Sequence, residues 1–339
     1  MQQSSHRTRH RTLRRRVVIV VSIVCVVVAA LAVSIPQLLR LNLNVVQPGP
    51  LPRRYQDAYC TATLPKSAVG SILSPEQAQT AAAIVLIAVR RGLPEQAAEV
   101  AITTVMQESK LTNLPYGDRD SVGLFQQRPS QGWGSREQLM DETYATNAFY
   151  DALLAVPDWQ ARPIEDAAQQ VQHSGYPDLY ARWNDTARSW SAALMGIAPA
   201  GATCLLEPAG STGATDVSGF SAAFLTAFPE FEIAREGGTN GSTAANSNAN
   251  GTTGSETSSA NGDAKQTFEL SLSHANATTD IDRLRWQAAT WLVVHARPYG
   301  IDSIRLGDTV WMRQSGEWPQ KTQQLSNEGK ASAIVVGIK

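Results

Sequence analysis

At 339 residues the chain is long for one compact domain, and a formal net charge of −1 excludes a globally basic nucleic-acid-binding protein. No metal-ligand cluster and no glycine-rich phosphate loop stands in the sequence, so metal, nucleotide and other cofactor chemistry is not expected. The composition is uneven, which predicts folded units separated by flexible segments.

In chain order, His6, Arg7, Arg9, His10, Arg11 and Arg14 to Arg16 form a basic stretch over residues 1–16. An uncharged, almost wholly apolar run from Val17 to Ile35 follows, long enough to cross a bilayer as a helix with its basic side in the cytoplasm. Everything after Arg40 is therefore expected outside the cytoplasm. Ala30-Leu31-Ala32 offers the alternative of a removed signal sequence and a secreted protein, against which stands the length of the apolar run. Cys25 reads as a membrane-buried thiol, since Val24 is too bulky for a lipid-attachment motif. Residues 36–59, with the proline-rich Gln47 to Arg54, read as an extended spacer. Cys60 and Cys204, placed in an oxidising compartment, predict a disulfide between the two ends of the next domain; two unpaired thiols are the alternative.

Residues 60–207 have the texture of a mainly helical domain. Ser74-Pro75-Glu76-Gln77 is a helix start with a capping serine, followed by the stripe Ala82, Val85, Leu86, Val89 and a stop at Gly92. Pro94 and Glu95 open a second helix, where Ala98, Ala101, Ile102 and Val105 share a face. Further helices are expected from Ser135 to Leu154 with a restart at Asp141, from Pro163 to His173, and from Tyr176 to Leu194. A loop-rich interruption spans Asn113 to Gly134. Residues 208–265 read as a linker: a semi-ordered stretch with Phe220, Phe224, Phe228 and Phe231, then a Gly/Ser/Thr/Asn/Ala tract that cannot bury a core. Residues 266–339 read as a small α+β domain. Its strands are expected at Phe268 to Leu272, Ile304 to Met312 and Ala333 to Ile338, and its helix carries Leu284, Ala288, Trp291, Leu292 and His295 on one face.

One more turn of the second helix's apolar face reaches Glu108. A carboxyl at that place is desolvated on one side and open on the other, the setting that keeps an acid protonated near neutral pH for glycoside cleavage. Glutamates at helix ends also serve as solvated or purely structural groups, so the neighbourhood decides. Gln107-Glu108-Ser109, followed by Ser121-Val122-Gly123-Leu124-Phe125-Gln126-Gln127-Arg128-Pro129, resembles the soluble lytic transglycosylase family of the lysozyme-like superfamily, in its membrane-anchored, actinobacterial form. That family has Glu-Ser at a helix end and a Gly-Leu-Met-Gln-x-x-Pro segment, with Phe125 here in place of methionine. A third family motif, Ala-Tyr-Asn-x-Gly, falls on Val171-Gln172-His173-Ser174-Gly175, with Tyr180 and Trp183 beyond it. Gln172 and His173 stand where the family has the tyrosine that positions the acid and the asparagine that contacts substrate. The resemblance covers Ser74 to Leu194.

The resemblance implies a lysozyme-like α+β domain that cuts the MurNAc–GlcNAc β-1,4 bond of peptidoglycan with one carboxyl group acting twice. Glu108 protonates the glycosidic oxygen, the substrate's N-acetyl group assists, and Glu108 then takes a proton from the muramyl 6-hydroxyl, leaving a 1,6-anhydro end. The implied binding residues are Ser109, Gly123, Leu124, Phe125, Gln126, Gln127, Gln172, His173 and Tyr180, to which Trp133 is added as an aromatic surface in a glycine-flanked loop. Gly123 lets backbone approach a sugar, and Gln126 hydrogen-bonds it. Two alternatives stay open: a hydrolytic muramidase with Asp118 or Asp120 as base, and a non-catalytic wall-binding protein. The expected partners are peptidoglycan strands, the cytoplasmic membrane and, through Trp286, Trp291, Trp311 and Trp318, a wall polymer or protein docking on the C-terminal unit.

Overall fold

Ser74 caps the first helix in the described part of the chain. Its hydroxyl accepts from the Gln77 amide at 3.2 Å while Gln77 Oε1 accepts from the Ser74 amide at 2.9 Å, and Pro75 fills the first helical position. The computed structural model describes residues 58–64, 70–210, 216–236, 266–273, 280–318 and 333–339, all within the unit Arg53–Lys339. The basic stretch, the apolar run 17–35, nearly all of the spacer and the tract 237–265 lie outside the described residues. Among the described residues no helix is long and apolar enough to cross a membrane.

The helices after Ser74 are α1 (Pro75–Arg90), α2 (Glu95–Glu108), α3 (Arg136–Met140), α4 (Glu142–Ala155), α5 (Ile164–Gln172) and α6 (Asn184–Leu194). Helix α2 packs against α1, α4, α5 and α6, which explains why Thr103 and Thr104 are buried along with its apolar stripe. The restart at Asp141 is present: its carboxylate accepts from the Tyr144 amide and opens α4. The single helix expected from Tyr176 is not. Residues Pro177–Leu179 and Ala181–Trp183 form two 3-10 turns, and α6 begins only at Asn184. Pro177 has no amide to donate to a helical ladder, and the irregular path turns Tyr180 inward until it is fully buried.

Three short strands, β1 (Tyr59–Ala62), β2 (Ser71–Leu73) and β3 (Ala202–Leu205), form an antiparallel sheet in the order β2-β1-β3. Cys60 lies directly opposite Cys204 in the β1–β3 register, and the two form a disulfide across 144 residues of sequence. The first and last strands of the helical part are thus fastened side by side.

The remaining elements are α7 (Val217–Ala227), β4 (Phe231–Glu236), β5 (Gln266–Leu272), α8 (Ile281–Val294), α9 (Ala296–Tyr299), β6 (Ile301–Leu306), β7 (Thr309–Met312) and β8 (Ile334–Ile338). The strands form one antiparallel sheet in the order β4-β5-β8-β6-β7. Two expectations need correction. The stretch 217–236, read as part of a linker, supplies a helix and an edge strand, because its phenylalanines bury: Phe220 meets Phe268 at 5.3 Å and Phe224 meets Trp291 at 5.8 Å between ring centroids. The strand expected from Ile304 to Met312 is a hairpin turning at Gly307, where φ is +59°.

This sheet does not form a separate body. Helix α8 lies against α1, α6 and β3 on one side and β6 on the other, and a single apolar core runs through both parts. At Gly196 (φ +70°), just beyond α6, a Cβ would stand 2.0 Å from the Arg283 carbonyl oxygen, so only glycine admits α8 this closely. Trp311 Nε1 donates to Thr203 Oγ1 and Trp318 Nε1 to the Ala202 carbonyl, each at 3.0 Å. Arg297 Nε bonds Glu207 at 2.7 Å and also pairs with Glu76. Trp291, Trp311 and Trp318, read as a possible partner surface, are therefore buried in packing. The fold is a mixed α+β arrangement of nine helices and two sheets among the described residues.

Candidate active site

Glu108 is the last residue of α2, half-buried where the helix meets the loop. The chain reverses there without glycine: Lys110 and Leu111 both adopt left-handed backbone, with φ of 56° and 57°. The reversal buries Leu111 and folds Lys110 back, so that its ammonium donates to the Met106 carbonyl and, at 3.2 Å, to that of Gln107. A cation on the last carbonyls of a helix is the favourable sign for its macrodipole.

The carboxyl itself has three neighbours of consequence. The Tyr180 hydroxyl donates to Oε1 at 2.6 Å, the Gln172 amide is a second hydrogen-bond partner, and the Lys110 charge lies nearby. Burial outweighs all three and holds the Glu108 pKa above its ordinary carboxyl value. Its position at the negative end of a helix acts in the same direction. Tyr180 is in turn pushed well above the ordinary phenol range by burial and by the adjacent carboxylate, so it remains a donor at any physiological pH.

The glycine-led turn faces this carboxyl through one side chain. Gln172 Nε2 donates to the Phe125 carbonyl at 2.8 Å while its amide also reaches Glu108, which bridges loop and acid. The turn is held from within by Val122 N to Gln127 O at 3.0 Å and Gly123 N to Leu114 O at 2.7 Å. Several of its side chains serve that frame rather than an open groove. Leu124 and Phe125 are buried, Phe125 stacking on Phe149 at 4.5 Å. Gln127 is buried and donates to the Ala145 carbonyl at 3.3 Å. Gln126, at φ +51°, folds its amide back onto the carbonyls of Gly123 (3.0 Å) and Tyr116 (3.3 Å). Gly123 is also required within the frame: at φ +81° its Cβ would meet the Leu139 carbonyl oxygen at 2.3 Å, so its backbone lies close against α3.

Other residues named from sequence take other places. Ser109 is buried and its hydroxyl donates back to the Val105 carbonyl at 3.3 Å, closing the helix end. His173 is an exposed left-handed residue ending α5, with no contact to the carboxyl shown. Trp133 is half-buried at the loop's far end, its carbonyl accepting from the Tyr144 hydroxyl at 3.2 Å. Asp120 accepts from Arg128 Nε at 2.7 Å and from the Ser130 amide at 2.7 Å, and these bonds hold it far below the ordinary carboxylate range. Asp118 is almost fully exposed.

Sequence reasoning gave no role to Gln107, Lys110 or Arg182 and named Trp183 only as lying beyond the third motif. Trp183 Nε1 and Arg182 Nη2 both donate to Gln107 Oε1, at 3.1 and 2.8 Å, beside the acid. The signal available was the adjacency of Gln107 and Lys110 to Glu108; nothing in the sequence brings Arg182 to them. A half-buried carboxyl with raised proton affinity, hydrogen-bonded by a phenol and an amide, is suited to delivering a proton to a bound oxygen. No protein-family model matches this chain, and no curated protein matches it.

Proposed function

We propose that this chain is a peptidoglycan lytic transglycosylase that cleaves the MurNAc–GlcNAc β-1,4 bond on a lysozyme-like scaffold, with Glu108 as its single acid and base. The observation that carries the reading is the Glu108–Tyr180–Gln172 arrangement: burial raises the carboxyl's proton affinity, while the Tyr180 hydroxyl and the Gln172 amide orient it and remain able to stabilise it once the proton has left. Tyr180, rather than a residue at the start of the third motif, fills the positioning role that the family gives to its tyrosine. In this reading the substrate's N-acetyl group assists departure of the leaving sugar, and the ionised Glu108 then deprotonates the muramyl 6-hydroxyl.

A hydrolase with a second carboxylate base is less well supported. The oxygens of Asp120 are engaged by Arg128 and Ser130, which leaves it poorly basic. The Cys60–Cys204 disulfide fits an oxidising compartment, and with the apolar run 17–35 it supports a single-pass protein whose catalytic unit faces the wall. Mass spectrometry of purified walls digested with the full chain and with Glu108→Gln tests the reading. Anhydro-muropeptides are expected from the first and none from the second. Reducing ends in their place would assign hydrolysis, and retention on walls without any product would assign the non-catalytic binder.

A further inference from the structure

The residues around Gln107 form a cationic cluster that proton delivery does not use. The Lys110 ammonium lies 4.5 Å from the centroid of the Trp183 ring, and the Arg182 guanidinium 5.2 Å from the same centroid. Gln107 Oε1 accepts from both Trp183 and Arg182, which pins the pair against the end of α2. Two like charges on one indole repel each other, and among the described residues neither cation forms a salt bridge. Glu108 is the carboxylate that acts on Lys110, and a general acid is neutral at the moment it acts. In that state no carboxylate balances the two cations beside the reacting group; Lys110 is met only by the carbonyls at the end of α2, and Arg182 by the Gln107 amide oxygen. Arg182 is exposed and uses one of its donors on Gln107, so the remainder of its planar fork faces solvent.

We propose that Arg182, with Lys110 beside it on Trp183, is a subsite for a carboxylate carried by the amino sugar at the scissile bond. The proposal rests on the glycan-cleaving reading of Glu108 and gives that site its specificity for anionic over neutral glycans. A guanidinium laid on an indole keeps its plane, and its free N–H pair matches the two oxygens of a carboxylate. In peptidoglycan that carboxylate is either the lactyl group of a peptide-free muramyl residue or an acid of the stem peptide.

The test uses the full chain carrying Glu108→Gln, which mimics the neutral acid and cannot cut. Calorimetric titration compares a GlcNAc–MurNAc tetrasaccharide with free lactyl carboxylates, the same sugar capped as methyl amides, and one bearing stem peptides. At least one carboxylate-bearing probe is expected to bind roughly tenfold tighter than the capped sugar, and which of the two does so identifies the source of the carboxylate. Adding Arg182→Gln removes that preference and leaves the capped sugar's Kd unchanged, whereas Arg182→Lys restores only part of it. Equal affinity for all probes, an Arg182→Gln loss that is uniform across them, or no measurable binding overturns the proposal. Wall cleavage by the unmodified chain is scored separately. If no product forms, the catalytic reading of Glu108 fails while a carboxylate preference that depends on Arg182 still stands; if products form without that preference, only the subsite fails.

Discussion

The phenol of Tyr180 reaches Glu108 Oε1 at 2.6 Å across 72 residues of sequence, from the bend between two 3-10 turns onto the end of α2. Because this bond favours the ionised carboxylate, Tyr180→Phe raises the Glu108 pKa further. In the proposed reaction the alkaline limb of the pH–rate profile follows loss of the proton from Glu108, and it is therefore expected to move to higher pH. At the same time kcat falls by roughly 10- to 100-fold as the carboxyl loses its fixed orientation. An unmoved limb in a folded variant would separate Tyr180 from the acid's titration.

Glu108 also burdens the fold. Its pKa is raised from an ordinary 4.5, so the folded state binds the proton more tightly than the unfolded one. Its contribution to stability is complete below that ordinary value and is lost as pH rises through the higher folded-state value. Glu108→Gln escapes this loss. Melting curves should show the variant gaining on the parent by a few degrees at pH 8 relative to pH 4, about 1 kcal/mol corresponding to roughly 2–4 °C at this size. A constant difference across that range would contradict the buried-acid description.

Gly123→Ala tests the frame of the turn. With φ at +81° and the Leu139 carbonyl 2.3 Å from the added carbon, either the loop or α3 must shift, at a cost of about 2–3 kcal/mol. Phe125 lies two residues on, and its carbonyl holds Gln172 at the acid, so wall cleavage should drop along with Tm. Full activity with an unchanged Tm would show that the turn is not rigid.

Removing residues 266–339 should not release a folded helical domain. The cut uncovers the face of α1, α6 and β3 that α8 occupies and removes the partners of Thr203, Glu76 and Glu207. The expected product is an aggregating chain with lost near-ultraviolet dichroism. A monodisperse, cooperatively melting fragment would show that the two sheets are independent after all.

Replacing Cys60 and Cys204 together by alanine removes a cross-link that closes a long loop, a loss of about 3–5 kcal/mol. Thermal melts of the parent with and without reductant should reproduce most of that change. Insensitivity to reductant would mean that the sheet registry holds without the bond.

The long periodic elements could be read from residues alone, and the short or irregular ones could not. Ser74 and Gln77, the α2 stripe ending on Glu108, and the Asp141 restart follow from capping chemistry and a 3.6-residue period. Strands β1, β2 and β3 are three or four residues each, too short for alternation to register, and they exist because they pair with one another. The contact of Tyr180 with Glu108 depends on Pro177 breaking the helix before it, and regular spacing through 176–194 conceals that break. Phe220, Phe224, Phe228 and Phe231 carried the signal of a buried helix and strand, but the polar tract after them drew the boundary too early.

The cystine across β1 and β3 also sets a mechanical route. Tension between the segment preceding Tyr59 and the strands beyond Leu205 enters at Cys60 and leaves at Cys204 through a covalent bond. The 143 residues between them, which include the acid and everything that aims it, are bypassed by the load. A pull applied through β1 and β3 is therefore carried by the covalent bond between them and not by the chain that holds Glu108.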